Sequence, residues 1–291
     1  QAESLWGGLA VPKYLVPNMY AANAATAVAF QAGEIAVSQS FMSNLQNLLL
    51  DDGLPISTYL DEAPYQISGG MPSLFLNQDI EVLQVKEVRQ AIEYAINYDQ
   101  IVDAAMTGQS PTFGDYPRSL FNPAEGEQAM IRDQAALDAY RWDNQDIERA
   151  NQVLDDAGIL DTNGDGIREY NGENIVLKIQ CPNGWTDWMA AVQIAADAGK
   201  DIGLSLEAYY PEAAQNTEDL TTGNFEIIMY SVASAGIASP WARAYQFMYG
   251  YGGEFPETMN MNYGRWYNAE AEEILAQIPV ETDEAKLLEL W

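Results

Sequence analysis

Apolar positions recur along this chain with a helical period in some stretches and a strand-like one in others. The clearest helical stripe runs over 86–96, where Val88, Ala91, Ile92, Ala95 and Ile96 fall at i, i+3 and i+4 spacing. Asn97-Tyr-Asp-Gln100 follows as a capping-box pattern, opening a further helix to Met106 that Gly108 stops. Helices are also expected over 23–32 before Gly33, around Phe41, Leu45, Leu48 and Leu49, and over 146–157 before Gly158. Later ones are expected at 211–220, 269–278 and 283–290. Strand-like runs occupy 13–20 (broken by Pro17, hence an edge or a bulge), 34–38, 56–60, 72–77 and 225–233. Residues 110–123 lack periodicity and read as a loop, and 236–241 as the exit loop of the last long strand.

One unit stands out. An apolar run at 175–180 leads through Cys181-Pro-Asn-Gly-Trp-Thr-Asp-Trp-Met189 into a helical pattern, and a short strand at 204–208 closes it. Strand, turn, helix and strand in that order predict a βαβ unit with parallel strands, so the fold class is α/β. Open α/β sheets bind ligands at the carboxyl edge of their strands, which is where this turn falls. Trp185 and Trp188 there are either core aromatics or a stacking platform for a flat amphipathic ligand such as a sugar ring. Asn183 and Asp187 are placed to take its hydroxyls. Thr186 or Asp187 is the expected helix cap, and capping is the competing role for Asp187.

Composition narrows the choices. The chain has 291 residues, 48% of them apolar, enough for a sizeable core and one or two domains. There are 43 acidic and 13 basic residues, a net charge of −30. Nucleic acid and anionic membranes are therefore poor partners, since each phosphate contact needs a cation. With no histidine at all, Ser-His-Asp and Cys-His machinery and His-ligated metals are excluded. The single cysteine, Cys181, cannot form a disulfide within the chain. Gln1 is not an initiator and the helical pattern at 287–291 carries no stop signal, so the chain is expected to be a piece of a longer protein.

Other candidates carry two readings each. Asp161, Asn163 and Asp165 occupy positions 1, 3 and 5 of a calcium-loop pattern with Gly166 at the turn, but position 12 is Gly172 and Glu173 misses by one. A metal-free Asx-turn is the favoured reading, and no cofactor is expected beyond that calcium. Trp241 follows Pro240 at another carboxyl strand edge, as a second platform or as core. Arg265, in Arg265-Trp-Tyr267, is either a hydroxyl donor to a sugar or a rim residue paired with a carboxylate.

Several landmarks, taken together, resemble a family. They are Ala32-Gly-Glu-Ile-Ala-Val-Ser38, Val88-Arg-Gln-Ala-Ile-Glu-Tyr-Ala-Ile96, Ala157-Gly-Ile with Asp161-Thr-Asn-Gly-Asp-Gly166, and Gly223-Asn-Phe-Glu-Ile-Ile228. They look like the extracytoplasmic solute-binding proteins of ABC importers, in the oligopeptide-type (family 5) group. Cys181–Met189, Ser239-Pro-Trp-Ala-Arg243 and Asn262-Tyr-Gly-Arg-Trp-Tyr-Asn268 are similar to its cellobiose-binding branch. The resemblance departs at Ala36 and Glu226, where Asp is common in the family. It implies a two-lobed, periplasmic-binding-protein-like (type II) fold, with 1–70 a remnant of the N-terminal lobe and hinge and 71–291 the C-terminal ligand-binding lobe. It also implies a β-linked oligosaccharide ligand, an ABC permease as partner and no catalysis. The protein would be a monomer outside the cytoplasm, lipid-anchored at full length. An oligopeptide binder of the same fold and a two-carboxylate glycosidase are the alternatives.

Overall fold

The computed structural model describes residues 12–43, 45–50, 53–66, 70–110, 120–121, 125–131, 133–140, 144–231 and 239–291. The chain divides into two compact units, Gln1–Met42 and Ser43–Trp291. In the first, helix α1 (Asn23–Gln31) buries Thr26 and Ala29. It ends where Gly33 takes a left-handed φ of 72°. The strands expected at 13–20 and 34–38 do not form. Tyr14, Leu15, Val16, Met19 and Val37 are all at least 75% exposed. A strand needs a neighbour for its backbone groups and a face to bury, and these segments have neither among the described residues of their own unit.

The second unit begins with α2 (Leu45–Leu50), β1 (Pro72–Leu76), α3 (Glu81–Gln84) and α4 (Lys86–Ala95). Next come α5 (Tyr98–Gln100), continuing as a π-helical turn over Ile101–Ala105, and then α6 (Glu125–Gln128) and α7 (Gln134–Tyr140). Helix α8 (Ile147–Asp156) and a hairpin of β2 (Glu169–Tyr170) and β3 (Glu173–Asn174) precede the central unit. That unit is β4 (Val176–Gln180), α9 (Thr186–Gly199) and β5 (Ser205–Tyr209). After it run α10 (Ala213–Thr222), β6 (Ile227–Ser231), α11 (Pro240–Met248), α12 (Ala269–Gln277) and α13 (Glu284–Leu290).

Four strands form one mixed sheet in the order β1-β6-β4-β5. The expected parallel pairing is present, with Val176 opposite Ser205 and Gln180 opposite Tyr209. Strand β6 runs parallel to β4, while β1 is antiparallel to β6. The carboxyl ends of β4, β5 and β6 therefore lie at one edge, together with the amino end of β1. Glu226, at the start of β6, turns its carboxylate onto the Lys178 amide of β4.

The main core joins one face of this sheet to α4, α8 and α9 through Val88, Ala91, Ile92, Ala150, Leu154, Ile179, Val192 and Ile227. The alanines at these positions let helices approach closely, and the apolar stripe read from the sequence is the buried face of α4. Gly199 is required where α9 meets β5, because a Cβ there would lie 2.6 Å from the Leu206 side chain and 2.8 Å from the Leu204 carbonyl. A second core, around Phe75, Leu220, Phe225, Ile228, Met259 and Tyr263, is joined to it through Tyr230, which packs against both.

Some expectations need correction. Residues 56–60 form local turns, not a strand, with the Ile56 amide bonded to the Leu54 carbonyl. The helix expected over 98–106 is a single α-turn passing into a π turn, although Asn97 does cap it by accepting the Gln100 amide at 2.9 Å. Trp241 lies in the first turn of α11, not in an exit loop, because Ser239 caps that helix and Pro240 occupies its first position. Most of the loop at 110–123, and the end of the strand expected at 225–233, lie outside the described residues.

Candidate functional site

The parallel ladder does not stop at Gln180. Past the strand ends, the Cys181 amide bonds to the Tyr209 carbonyl at 3.2 Å and the Asn183 amide to the Pro211 carbonyl at 2.8 Å. The two exit segments therefore continue side by side as a short ribbon beyond the sheet. Gly184, at a left-handed φ of 83°, then turns the chain. The Trp185 carbonyl accepts the Met189 amide at 2.8 Å to open α9. The Tyr210 hydroxyl donates to the Met189 carbonyl at 3.0 Å, tying the far side of the ribbon to the helix. Neither Thr186 nor Asp187 caps α9: Trp185 occupies the cap position and makes no side-chain cap bond.

The two tryptophans separate into two roles. Trp188 is 8% exposed and belongs to the core, whereas Trp185 is 36% exposed. Their rings meet edge to face with centroids 4.8 Å apart. Trp188 is braced in turn by Tyr230 at 6.4 Å, and Tyr230 by Tyr263 at 5.4 Å, both edge to face. The exposed indole thus rests on a chain of buried and partly buried rings that fixes its attitude.

The polar candidates divide in the same way. Asn183 is exposed, and its Nδ2 donates to Glu212 Oε1 across the ribbon at 3.3 Å. Asp187 is buried at 8% exposure. Burial, and then the charge of Asp187, push the Cys181 thiol up to about 12, so this cysteine stays protonated and inert.

Trp241 and Arg265 each hold neighbouring elements together. The Trp241 indole donates to the Leu275 carbonyl of α12 at 2.8 Å, and its ring packs on Tyr245 at 5.2 Å. Tyr245 stacks on Tyr249 at 4.6 Å, so the stripe along α11 packs ring on ring. Arg265 sits at the opposite edge of the sheet, beside the exit of β1 and the entry to β6. Its guanidinium pairs with Asp79 at 3.0 Å and donates to the Thr222 carbonyl at 2.9 Å. It also covers Gly223, where a Cβ would come within 2.5 Å of the guanidinium. Of the two readings for Arg265, the ion-paired one describes it, and it is not brought to the tryptophan edge.

The Asp161 loop is closed on itself. Asp161 accepts the Gly164 and Gly166 amides at 2.7 and 2.8 Å. Asn163 accepts the Asp165 amide at 2.8 Å, and Asp165 takes the Asn174 side-chain amide and the Ile167 amide. The hydrogen bond from Asn174, and then that from Ile167, hold the Asp165 carboxyl below its usual range. Both oxygens of Glu169 are taken by the Thr162 and Asn163 amides. Among the described residues no group of three or more Cys, Asp or Glu side chains is arranged to hold a metal.

A separate concavity of about 500 Å³ is lined by Val85, Glu87, Gly158, Glu169, Tyr170 and Asn171. It lies beside the hairpin that feeds the amino end of β4, away from the carboxyl edge where α/β sheets hold ligands. The edge bearing Trp185 is thus the better candidate.

Comparison with known proteins is decisive on the family. Residues 2–255 match the bacterial extracellular solute-binding proteins, family 5 (middle). The chain belongs to that family. Among solved structures it is similar to the mannohexaose-bound periplasmic oligopeptide-binding protein of an oligopeptide ABC transporter from Thermotoga maritima. That match has 29% identity and a TM-score of 0.81, and covers 92% of this chain and 49% of the other. The fold is likewise that of the oligopeptide-binding protein AppA from Bacillus subtilis in complex with a nonapeptide, at TM-score 0.71 and 18% identity. This second match covers 93% of this chain and 49% of the other. In sequence the chain is 23% identical to AppA over 158 residues, which is 52% of this chain and 26% of AppA. The chain thus spans about half the length of the solved structures, AppA included, and the aligned sequence about a quarter of AppA. The architecture is the type II periplasmic-binding-protein fold, in part. Members of this solute-binding family are substrate-binding proteins, not enzymes. Among the described residues no helix is long and apolar enough to cross a membrane.

Proposed function

We propose that this chain is part of a solute-binding component of an ABC importer that captures an oligosaccharide and delivers it to a membrane permease without chemistry. The observation that carries the reading is the half-exposed Trp185 braced edge-on by Trp188 at the carboxyl edge of β4. An indole face is suited to the C–H face of a sugar ring, and such aromatic contacts contribute about 0.5–1.5 kcal/mol beyond area burial. The Thermotoga neighbour with mannohexaose supports the ligand class. Residues 71–291 form the ligand-binding lobe and 1–70 a remnant of the other lobe with the hinge. Lobe closure over the ligand shifts a two-state equilibrium by differential affinity. Trp185 is the platform, Asn183 orients hydroxyls, Trp188 and Asp187 support from below, and the Asp161 loop is a metal-free turn. The protein works as a monomer outside the cytoplasm, held there by a lipid anchor.

A second reading keeps the fold and takes an oligopeptide, as AppA does with its nonapeptide. A peptide carboxylate calls for a free cation. The five described arginines instead have partners within the fold. Arg89 holds the end of α3 and Arg149 lies over the Tyr94 ring. Arg168 bonds Asn151 and Asp155, Arg243 pairs with Glu127, and Arg265 pairs with Asp79. None of the described arginines is thus left for a peptide carboxylate. Calorimetry of the intact protein against cellobiose, mannohexaose and a mixed tripeptide separates the two. Heat from a sugar and none from the peptide is expected, and heat from the peptide alone overturns the sugar reading.

A further inference from the structure

We infer that Glu212, paired with Asn183, is the residue that reads ligand hydroxyls beside Trp185 and so sets specificity; this rests on the oligosaccharide reading above. Glu212 is exposed and stands at the N-cap position of α10, where a side chain would ordinarily fold back onto its own helix. It makes no such cap bond. Its Oε1 instead accepts Asn183 Nδ2 at 3.3 Å, across the ribbon that the Asn183 amide and the Pro211 carbonyl close at 2.8 Å.

Three features make this pair a reader of hydroxyls. It is built on the exits of two adjacent parallel strands, so its two side chains are held in register by backbone hydrogen bonds. Among the described residues Glu212 Oε2 and Asn183 Oδ1 take no hydrogen bond, and both can accept one. Asn183 is two residues from Trp185, the exposed ring of the loop. A carboxylate accepts from two hydroxyls at once, and its charge-assisted bonds are about twice as strong as neutral ones. Adjacent hydroxyls on a pyranose stacked on the indole present that donor pair. A negative group there also repels an anionic ligand, so the pair selects neutral polyols over acids.

The test is a titration of the intact protein and its Glu212→Gln and Glu212→Ala variants with mannohexaose, alongside a melting temperature for each. The exposed position predicts unchanged melting. Glu212→Gln keeps shape and one acceptor oxygen but removes the charge, and is expected to weaken sugar affinity about tenfold, with Glu212→Ala weakening it further. If the unsubstituted protein binds the sugar and both variants bind it equally well, the role given to Glu212 is wrong while the sugar reading stands. If the unsubstituted protein binds no sugar, the functional reading itself falls and this inference with it.

Discussion

Glu93 sits near the end of α4, where burial and the negative end of the helix both act against a carboxylate. Burial pushes its carboxyl up from 4.5 to about 7, and the nearby Arg149 only partly opposes this. A folded-state value above the unfolded one means the folded protein binds the proton more tightly. Its contribution to stability is therefore greatest below the unfolded value and is lost as pH rises from about 4.5 to about 7. Glu93→Gln removes that loss. The variant is expected to be more stable than the parent at pH 8 by on the order of 1–3 kcal/mol, with little difference at pH 4, as measured by denaturant unfolding. Equal stability at pH 8 would count against a buried, charge-averse Glu93. At this scale the sequence was informative about residue type but not about direction. Asn183, Trp185, Asp187 and Trp188 were all visible as candidates, yet only the fold shows that two face outward and two are buried. Glu212 was missed because it lies beyond the second strand. The signal available was its place just after a second carboxyl strand end, adjacent to the first by the parallel pairing.

Elements were legible where the pattern was long or its partner lay close in sequence. The α4 stripe and the β4-α9-β5 unit are examples: each buries its face against neighbours within the same unit. The strands expected at 13–20, 34–38 and 56–60 failed because an apolar run of that length does not say what it pairs with. Helix α11 was hidden for another reason: Ser239-Pro240 is a helix start, but the sequence context of a strand exit made it read as a loop. The Asp161 loop tests how far a motif alone can carry chemistry. Its carboxylates are bonded to the loop's own amides, and Gly172 supplies no side chain at the twelfth position. Calcium addition and chelation are accordingly expected to leave the melting temperature unchanged. A melting temperature that climbs with calcium concentration would restore the calcium reading, since a ligand of the folded state must stabilise it.

Across the whole molecule the charge is −30, and the described arginines serve as clamps on carbonyls, carboxylates and a ring. Such a field discourages anionic partners, in keeping with the proposed capture by apolar stacking and neutral polar contacts. The type II fold was legible from dispersed landmarks in family order. The nature of the solute was not, because relatives of this fold are seen with mannohexaose and with a nonapeptide alike. On the proposed reading, a few side chains at one edge of the sheet decide the ligand, Trp185 foremost among them. The most direct measurement is calorimetry of mannohexaose binding to the intact protein with and without Trp185→Ala. In the variant, sugar affinity is expected to fall at least about tenfold or vanish while the melting temperature holds, since the ring is partly exposed. Unchanged sugar affinity in that variant would contradict it, and would leave the paired tryptophans as packing alone.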